Sequence, residues 1–260
     1  MRSEIDRTVW KLPFRINFQR GWPCPTCGTG TLRVKADTFK HEEVRKSKIA
    51  FNHEYWDPSW TTYTFSCLLV CGNRECDEIV ACTGDGSVEE DNFVDEDGES
   101  HFDVREYFRP KYFEPHLRLI EMPENCPPAV SALLDESFKL FFSSPSAASN
   151  SVRMAVEELL TELKVPRFIS KKKRRSFISL HQRIGLLPQR YDQTKEFISA
   201  IKWLGNAGSH ATGQINMDDV MDSYDMFALV LDEIYHPRKR RLQALARKVN
   251  KKRGPLKSKS

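Results

Sequence analysis

Through residues 129–235, apolar side chains return at the three- and four-residue steps of helices that bury one face. Leu133, Leu134, Phe138 and Phe141 mark a helix over 129–142, started by Pro127-Pro128. Ala148, Val152, Ala155, Val156, Leu159, Leu160 and Leu163 mark a second over 146–164, ended by Pro166. A short helical piece is expected over 176–184. Another helix begins near Gln193 and buries Phe197, Ile198, Ile201 and Leu204, while Gly205 and Gly208 predict fraying before His210. The pattern is clearest over 216–235, where Met217, Val220, Met221, Tyr224, Phe227, Ala228, Leu231 and Ile234 keep the period. Asn216 is placed to cap that helix, with Asp218 and Asp219 in its first turn. Four main helices with short connections predict an antiparallel bundle.

The first half reads differently. Strand-like runs occupy 31–34, 61–70 and 78–83. Residues 35–60 mix charges with Phe39, Phe51, Tyr55, Trp56 and Trp60, which suits either strands packed on the sheet or a nucleic-acid face; the five acids of the stretch favour strands. Residues 85–106 hold ten acids against one arginine and predict a solvated, mobile loop, with metal binding or mimicry of nucleic acid as alternatives. Five prolines over 107–128 predict an extended linker. The chain is thus α+β: a β-rich domain over 1–124, a helical bundle over 125–236 and a basic tail over 237–260.

Composition refines this picture. A chain of 260 residues has room for two modest domains, each with a core. At 40% hydrophobic and 29% charged residues it contains no apolar run long enough to span a membrane. The opening MRSEIDRTVWKLPF lacks the long apolar core of a secretory signal, so a cytoplasmic location is expected. The net charge of +4 hides an asymmetry. Residues 237–260 hold eleven Lys or Arg and no acid, leaving 36 acids against 29 bases elsewhere, a net −7. A second basic run, Lys171, Lys172, Lys173, Arg174 and Arg175, interrupts the helical half. With Arg238, Lys239, Arg240 and Arg241 of the tail it points to a phosphate backbone, RNA or DNA, as partner. Acidic lipid surfaces and nonspecific pick-up of ribosomal RNA are the alternatives.

Seven cysteines, an odd number with two tight pairs, suit a reducing compartment and a metal site better than a disulfide framework. Cys24-Pro-Thr-Cys27-Gly28 presents two thiolates from one turn, and Cys71 and Cys76 form a second half-site between two strands. Four thiolates would close a tetrahedral structural Zn2+ site of zinc-ribbon type. The 43 residues between the pairs and the wider second pair depart from a compact ribbon, so free cysteines in a β-rich core stay open as the alternative. Cys67 and Cys82 fall inside strands and read as core thiols; His41 and His53 are reserve ligands.

Residues 197–210, FISAIKWLGNAGSH, place Lys202, Asn206 and His210 at four-residue steps on one helical face. They either form a functional cluster or satisfy backbone groups where helices meet. The GNAGSH stretch, with a basic residue three positions before its first glycine, resembles the signature of domain-of-unknown-function family 4145, over about 125–236. That family is related to the HEPN helical domains, many of them metal-independent ribonucleases. The resemblance implies a HEPN-like antiparallel helical bundle in which Arg153 and Glu157 look onto the GNAGSH segment. Active HEPN ribonucleases typically carry Arg-Asn-x-x-x-His; here Gly205 stands in the arginine's place, and Lys202 is the nearest upstream cation.

Two functions follow as expectations. The first is a nucleic-acid-associated protein of the HEPN-like class, binding RNA or DNA through its basic segments, with a place in prokaryotic defence and a protein partner there. The second is a metal-independent endoribonuclease: His210 gives and takes the proton, Lys202 or Arg153 stabilises charge on phosphate, Asn206 orients them, and a homodimer completes the site. Glu157 joins the same polar cluster, with an Arg153–Glu157 surface pair as the alternative. A protein-interaction scaffold is a third reading.

Overall fold

The computed structural model describes residues 4–17, 20–94, 100–171, 174–209, 215–235 and 238–255. It divides into two compact units, one formed by Met1–Leu119 with Phe138–Ala148 and the other by Ile120–Ser137 with Ser149–Ser260. Among the described residues no helix is long and apolar enough to cross a membrane.

The first unit is built on an antiparallel sheet in the order β1 (Leu32–Val34), β3 (Thr62–Cys71), β4 (Ile79–Val94), β5 (Ser100–Glu114), with β2 (Lys40–Glu43) also paired to β3. β3 alternates as a one-sided strand should: Phe65, Cys67, Leu69 and Cys71 are buried while Thr64 and Ser66 face outward. The register pairs Leu32 with Cys71 on one side of β3 and Val70 with Ile79 on the other. A bulge between Thr83 and Gly84 bends β4 against β5. Gly84 is required there, because a Cβ would lie 2.1 Å from the Arg109 carbonyl oxygen. Phe14, Phe65, Phe108 and Trp22 pack mostly edge to face beneath the sheet, with centroids 5.4–5.8 Å apart about Phe14. Trp22 also donates its indole N–H to the Val9 carbonyl at 3.0 Å.

Three expectations for this half are corrected. The acidic segment 85–106 is no loop: apart from 95–99, which lie outside the described residues, it forms the long β4–β5 hairpin. Its charge is answered across the ladder, where Arg109 binds Glu89 and the Ser87 hydroxyl and Lys111 lies 3.6 Å from Asp85. The supposed linker begins as β5, and Leu117 and Leu119 beyond it are buried. Residues 35–60 yield one strand, β2, followed by α2 (Arg45–Ala50) and a short 3-10 turn, Pro58–Trp60. The overall picture is therefore a half-barrel antiparallel sheet in place of a small ribbon.

In the second unit, α4 (Pro145–Glu162) supplies the central buried face through Val152, Ala155, Val156, Leu159 and Leu160. α6 (Asp192–Ser209) contributes Ile198 and Ile201, and α7 (Met217–Tyr235) contributes Val220, Met221, Tyr224, Phe227, Val230 and Leu231. The Asn216 side chain accepts from the N–H groups of Asp218 and Asp219 at 2.8 and 3.1 Å while Asp219 accepts from the Asn216 N–H at 2.9 Å, so α7 starts as expected.

The antiparallel bundle is not what forms. Extended helix–helix pairing joins α6 to α7 and the short α5 (Leu180–Gly185) to α6, but not α3 (Pro128–Leu140) to α4. At the α3–α4 corner Phe142 packs on Trp10 and Phe113 within the first unit. A hairpin of β6 (Phe168–Lys171) and β7 (Arg174–Phe177) also intervenes before α5, which Ser179 and Gln182 close with reciprocal capping bonds. The tail continues as α8 (Arg238–Lys252).

Removing the α7 cap by Asn216→Ala is expected to cost about 1 kcal/mol of unfolding free energy. Denaturant titration followed by helical circular dichroism measures it, and an unchanged midpoint would show the cap to be unimportant.

Candidate metal centre and polar cluster

The Cys24–Cys27 turn is closed by two backbone bonds: the Cys24 N–H donates to the Gly30 carbonyl at 2.8 Å, and the Gly28 N–H donates to the Cys24 carbonyl at 2.9 Å. Gly28 adopts φ of 67°, the left-handed conformation that glycine accepts without strain. The facing turn at the end of β3 carries Cys71 and Cys76, with the Cys76 N–H donating to the Asn73 carbonyl at 3.0 Å. β1 pairs with β3, so the two turns meet at one end of the sheet, and the Thr26 hydroxyl reaches the Glu78 carboxylate at 2.5 Å.

Cys24, Cys27, Cys71 and Cys76 converge there, with all four sulfurs within 4.8 Å of one another. The Cys24–Cys76 and Cys27–Cys71 sulfurs are each 3.7 Å apart. The Gly30 N–H points at Cys27 Sγ at 3.3 Å and the Asn73 N–H at Cys71 Sγ at 3.4 Å, which favours the thiolate forms that bind metal. The Gly30 N–H is the main reason the Cys27 thiol falls to about 6, while burial pushes Cys71 up to about 12. Such a set can hold one metal ion.

The reserve ligands do not take part. His41 lies among Phe39, Tyr63 and Phe108, 3.5 Å from Glu106, and His53 packs on Trp60. Cys67 and Cys82 pair across the β3–β4 ladder, away from the cluster. Gly30 is the position that sequence reading missed. A Cβ there would sit 2.3 Å from Cys71 Sγ, so the backbone must pass bare beneath the sulfur. No local pattern announces that demand, because Cys71 is distant in sequence.

In the second unit the structure joins some of the expected polar residues and not others. Arg153 forms an ion pair with Glu157 and donates to the Asn150 side chain at 3.0 and 3.1 Å. It also lies against Gly205, where a Cβ would come within 2.5 Å of Arg153 Cβ. α6 runs through that glycine to Ser209, and Gly205 serves as the point where α4 and α6 touch. Lys202 is only 3% exposed, with its Nζ 3.4 Å from His181 Nδ1 and 3.4 Å from the Trp203 ring centroid. Burial lowers its pKa from the ordinary lysine value. Among the described residues no hydrogen bond links Lys202 to Arg153 or Glu157, and the half-buried Asn206 side chain has no hydrogen-bond partner. His210 lies outside the described residues, as do Lys172 and Lys173.

Arg183 was not anticipated. It is 2% exposed and ties α5 to the end of α4, donating to the carbonyls of Glu157 at 2.9 Å and Val165 at 3.1 Å. Its cation meets the negative end of the helix, a structural role. Of the basic run, Lys171 and Arg174 fall in the β6–β7 hairpin, and the Arg175 guanidinium stands 4.0 Å over the exposed Phe168 ring. Arg238, Lys239, Arg240 and Arg241 form the first turn of α8.

Residues 135–253 match the family profile of the domain of unknown function DUF4145, in keeping with the resemblance seen in GNAGSH. Residues 12–113 match a second domain of unknown function, DUF8608. No curated protein matches the chain, and no solved structure does.

Gly30→Ala is expected to spread the four thiols, lowering bound metal per chain and speeding thiol reaction with an aromatic disulfide reagent; unaltered metal content and reactivity would refute the close-approach argument. Lys202 gives a pH test. The unfolded chain holds the lysine proton more tightly, so stability rises with pH between the lowered folded value and the ordinary one. Lys202→Met is expected to raise the neutral-pH melting temperature, with a gain that shrinks toward pH ~10, near the ordinary lysine pKa.

Proposed function

We propose that this protein binds RNA or DNA, that a structural zinc ion braces its sheet, and that α8 holds the phosphate backbone. The observation that carries the reading is α8 itself. Fifteen consecutive residues form one helix with eight Lys or Arg and no acid. Among its described side chains, Arg247, Lys248, Lys251 and Lys252 are all exposed. A helix of one charge sign is self-repelling in isolation and is stabilised by a polyanion, which gains counterion-release entropy on binding it.

Zinc follows from the donor set. Four thiolates at a zinc–sulfur distance of about 2.3 Å in a tetrahedron are about 3.8 Å apart, and the two sulfur pairs at 3.7 Å agree. Cys24, Cys27, Cys71 and Cys76 would fill all four positions and leave none for substrate, which makes the ion a brace for the sheet.

If about four cations of α8 contact phosphate, affinity falls about 100-fold between ~50 and ~200 mM salt. Changing Arg247, Lys248, Lys251 and Lys252 together to Gln is expected to reduce that dependence, as read by fluorescence anisotropy with labelled oligonucleotides. Binding is expected to survive His210→Ala. Salt-insensitive binding, or full affinity in the four-Gln variant, would overturn the assignment of α8.

A further inference from the structure

Residues 45–60 carry an aromatic surface that neither the fold nor the metal centre uses. Phe51 is 64% exposed, Tyr55 74% and Trp60 42%, and Ile49 beside them is 61% exposed. The rings fall into two groups: Phe51 meets Trp56 at 5.0 Å, and His53 meets Trp60 at 5.4 Å and Tyr55 at 5.9 Å. An apolar surface of this kind on a folded chain marks an interaction site.

The surface is held open by its own backbone. Buried Ser47 anchors α2, donating to the Glu43 carboxylate at 2.6 Å and accepting from the Thr62 N–H at 3.2 Å. Beyond α2 the Trp56 N–H donates to the His53 carbonyl at 3.0 Å and the Trp60 N–H to the Asp57 carbonyl at 2.9 Å. The Asp57 carboxylate accepts from the Ser59 N–H at 2.8 Å. These closed turns face the rings outward before any partner arrives.

Charge identifies the partner. Arg45, Lys46 and Lys48 are exposed on α2 and form no ion pair among the described residues. Asp57, whose carboxylate accepts from the Ser59 N–H, and Glu54 are the acids of 45–60, against the three cations of α2. The patch contains a single exposed aliphatic residue, Ile49, whereas insertion into lipid draws on aliphatic depth. Exposed π-faces beside exposed cations free of ion pairs among the described residues match unpaired bases joined by phosphates. We propose that residues 45–60 form a stacking surface for single-stranded nucleic acid, with Tyr55 and Trp60 taking bases and Arg45, Lys46 and Lys48 facing phosphates. This rests on the nucleic-acid reading above and specifies its substrate class as single-stranded.

The test compares the zinc-loaded full chain with Tyr55→Ala and Trp60→Ala variants against labelled single-stranded DNA, single-stranded RNA and a duplex of the same sequence. Each variant is expected to lose about 5- to 150-fold in single-strand affinity, with duplex affinity, α8-dependent salt slope and melting temperature unchanged. In the wild-type chain, tryptophan fluorescence is expected to be quenched by single strands and not by the duplex, a readout that needs no variant. Full single-strand affinity in both variants, with the α8 dependence intact, overturns the stacking surface and leaves the binding reading standing. No binding of any oligonucleotide overturns both. Capture of the wild-type chain by anionic vesicles through the same two rings, without quenching by single strands, assigns the surface to lipid and overturns the proposal.

Discussion

Four sulfur atoms drawn to one end of β3 are the constraint on which the first unit depends. β3 is the strand shared by β1, β2 and β4, and its terminal Cys71 stands opposite Leu32 in the register with β1. Two turns, one before β1 and one after β3, must close on the same point. Uncompensated thiolates would repel one another there, and a single divalent cation, if bound, would turn that repulsion into the attachment of both turns. The N–H groups of Gly30 and Asn73 already point at sulfur.

The helical unit rests on a different constraint, the approach of two backbones. Gly205 admits α4 so closely that Arg153 lies where a side chain of α6 would be. With its guanidinium bound to Glu157 and Asn150, Arg153 is a fixed and partly neutralised cation. Lys202, one turn earlier, is buried against Trp203 and His181. These groups are held for packing at the helix contact, while α8 carries eight Lys or Arg and no acid. The proposed anion recognition therefore falls to the exposed helix, where cations could exchange water and counterions for phosphate at little desolvation cost.

The long β4–β5 hairpin shows why charge density misleads when read alone. Ten acids in 85–106 look like a solvated loop, yet alternate residues face opposite sides of a sheet. A strand tolerates such a run when cations stand across the ladder, as Arg109 and Lys111 do. The partners of Glu89 and Asp85 lie some twenty residues away, beyond the reach of a local pattern. The exposed rings of 51–60 misled in the opposite direction: their aromatic content suggested buried strands, and the structure turns them outward.

By itself the sequence determined the helices of the second half, the cap at Asn216 and the two cysteine turns. Each depends on neighbours within a few residues: a 3.6-residue period, a side chain reaching the next turn, a glycine after a thiol pair. Tertiary structure alone decided that Gly30 must be bare, that Gly205 is where two helices touch, and that the helices share no clear antiparallel bundle. For both glycines the outcome turns on steric contact between distant segments, 41 residues apart from Gly30 to Cys71 and 52 from Arg153 to Gly205. Residue type along the chain does not encode such distances, because the energy of a close approach exists only once both surfaces are in place.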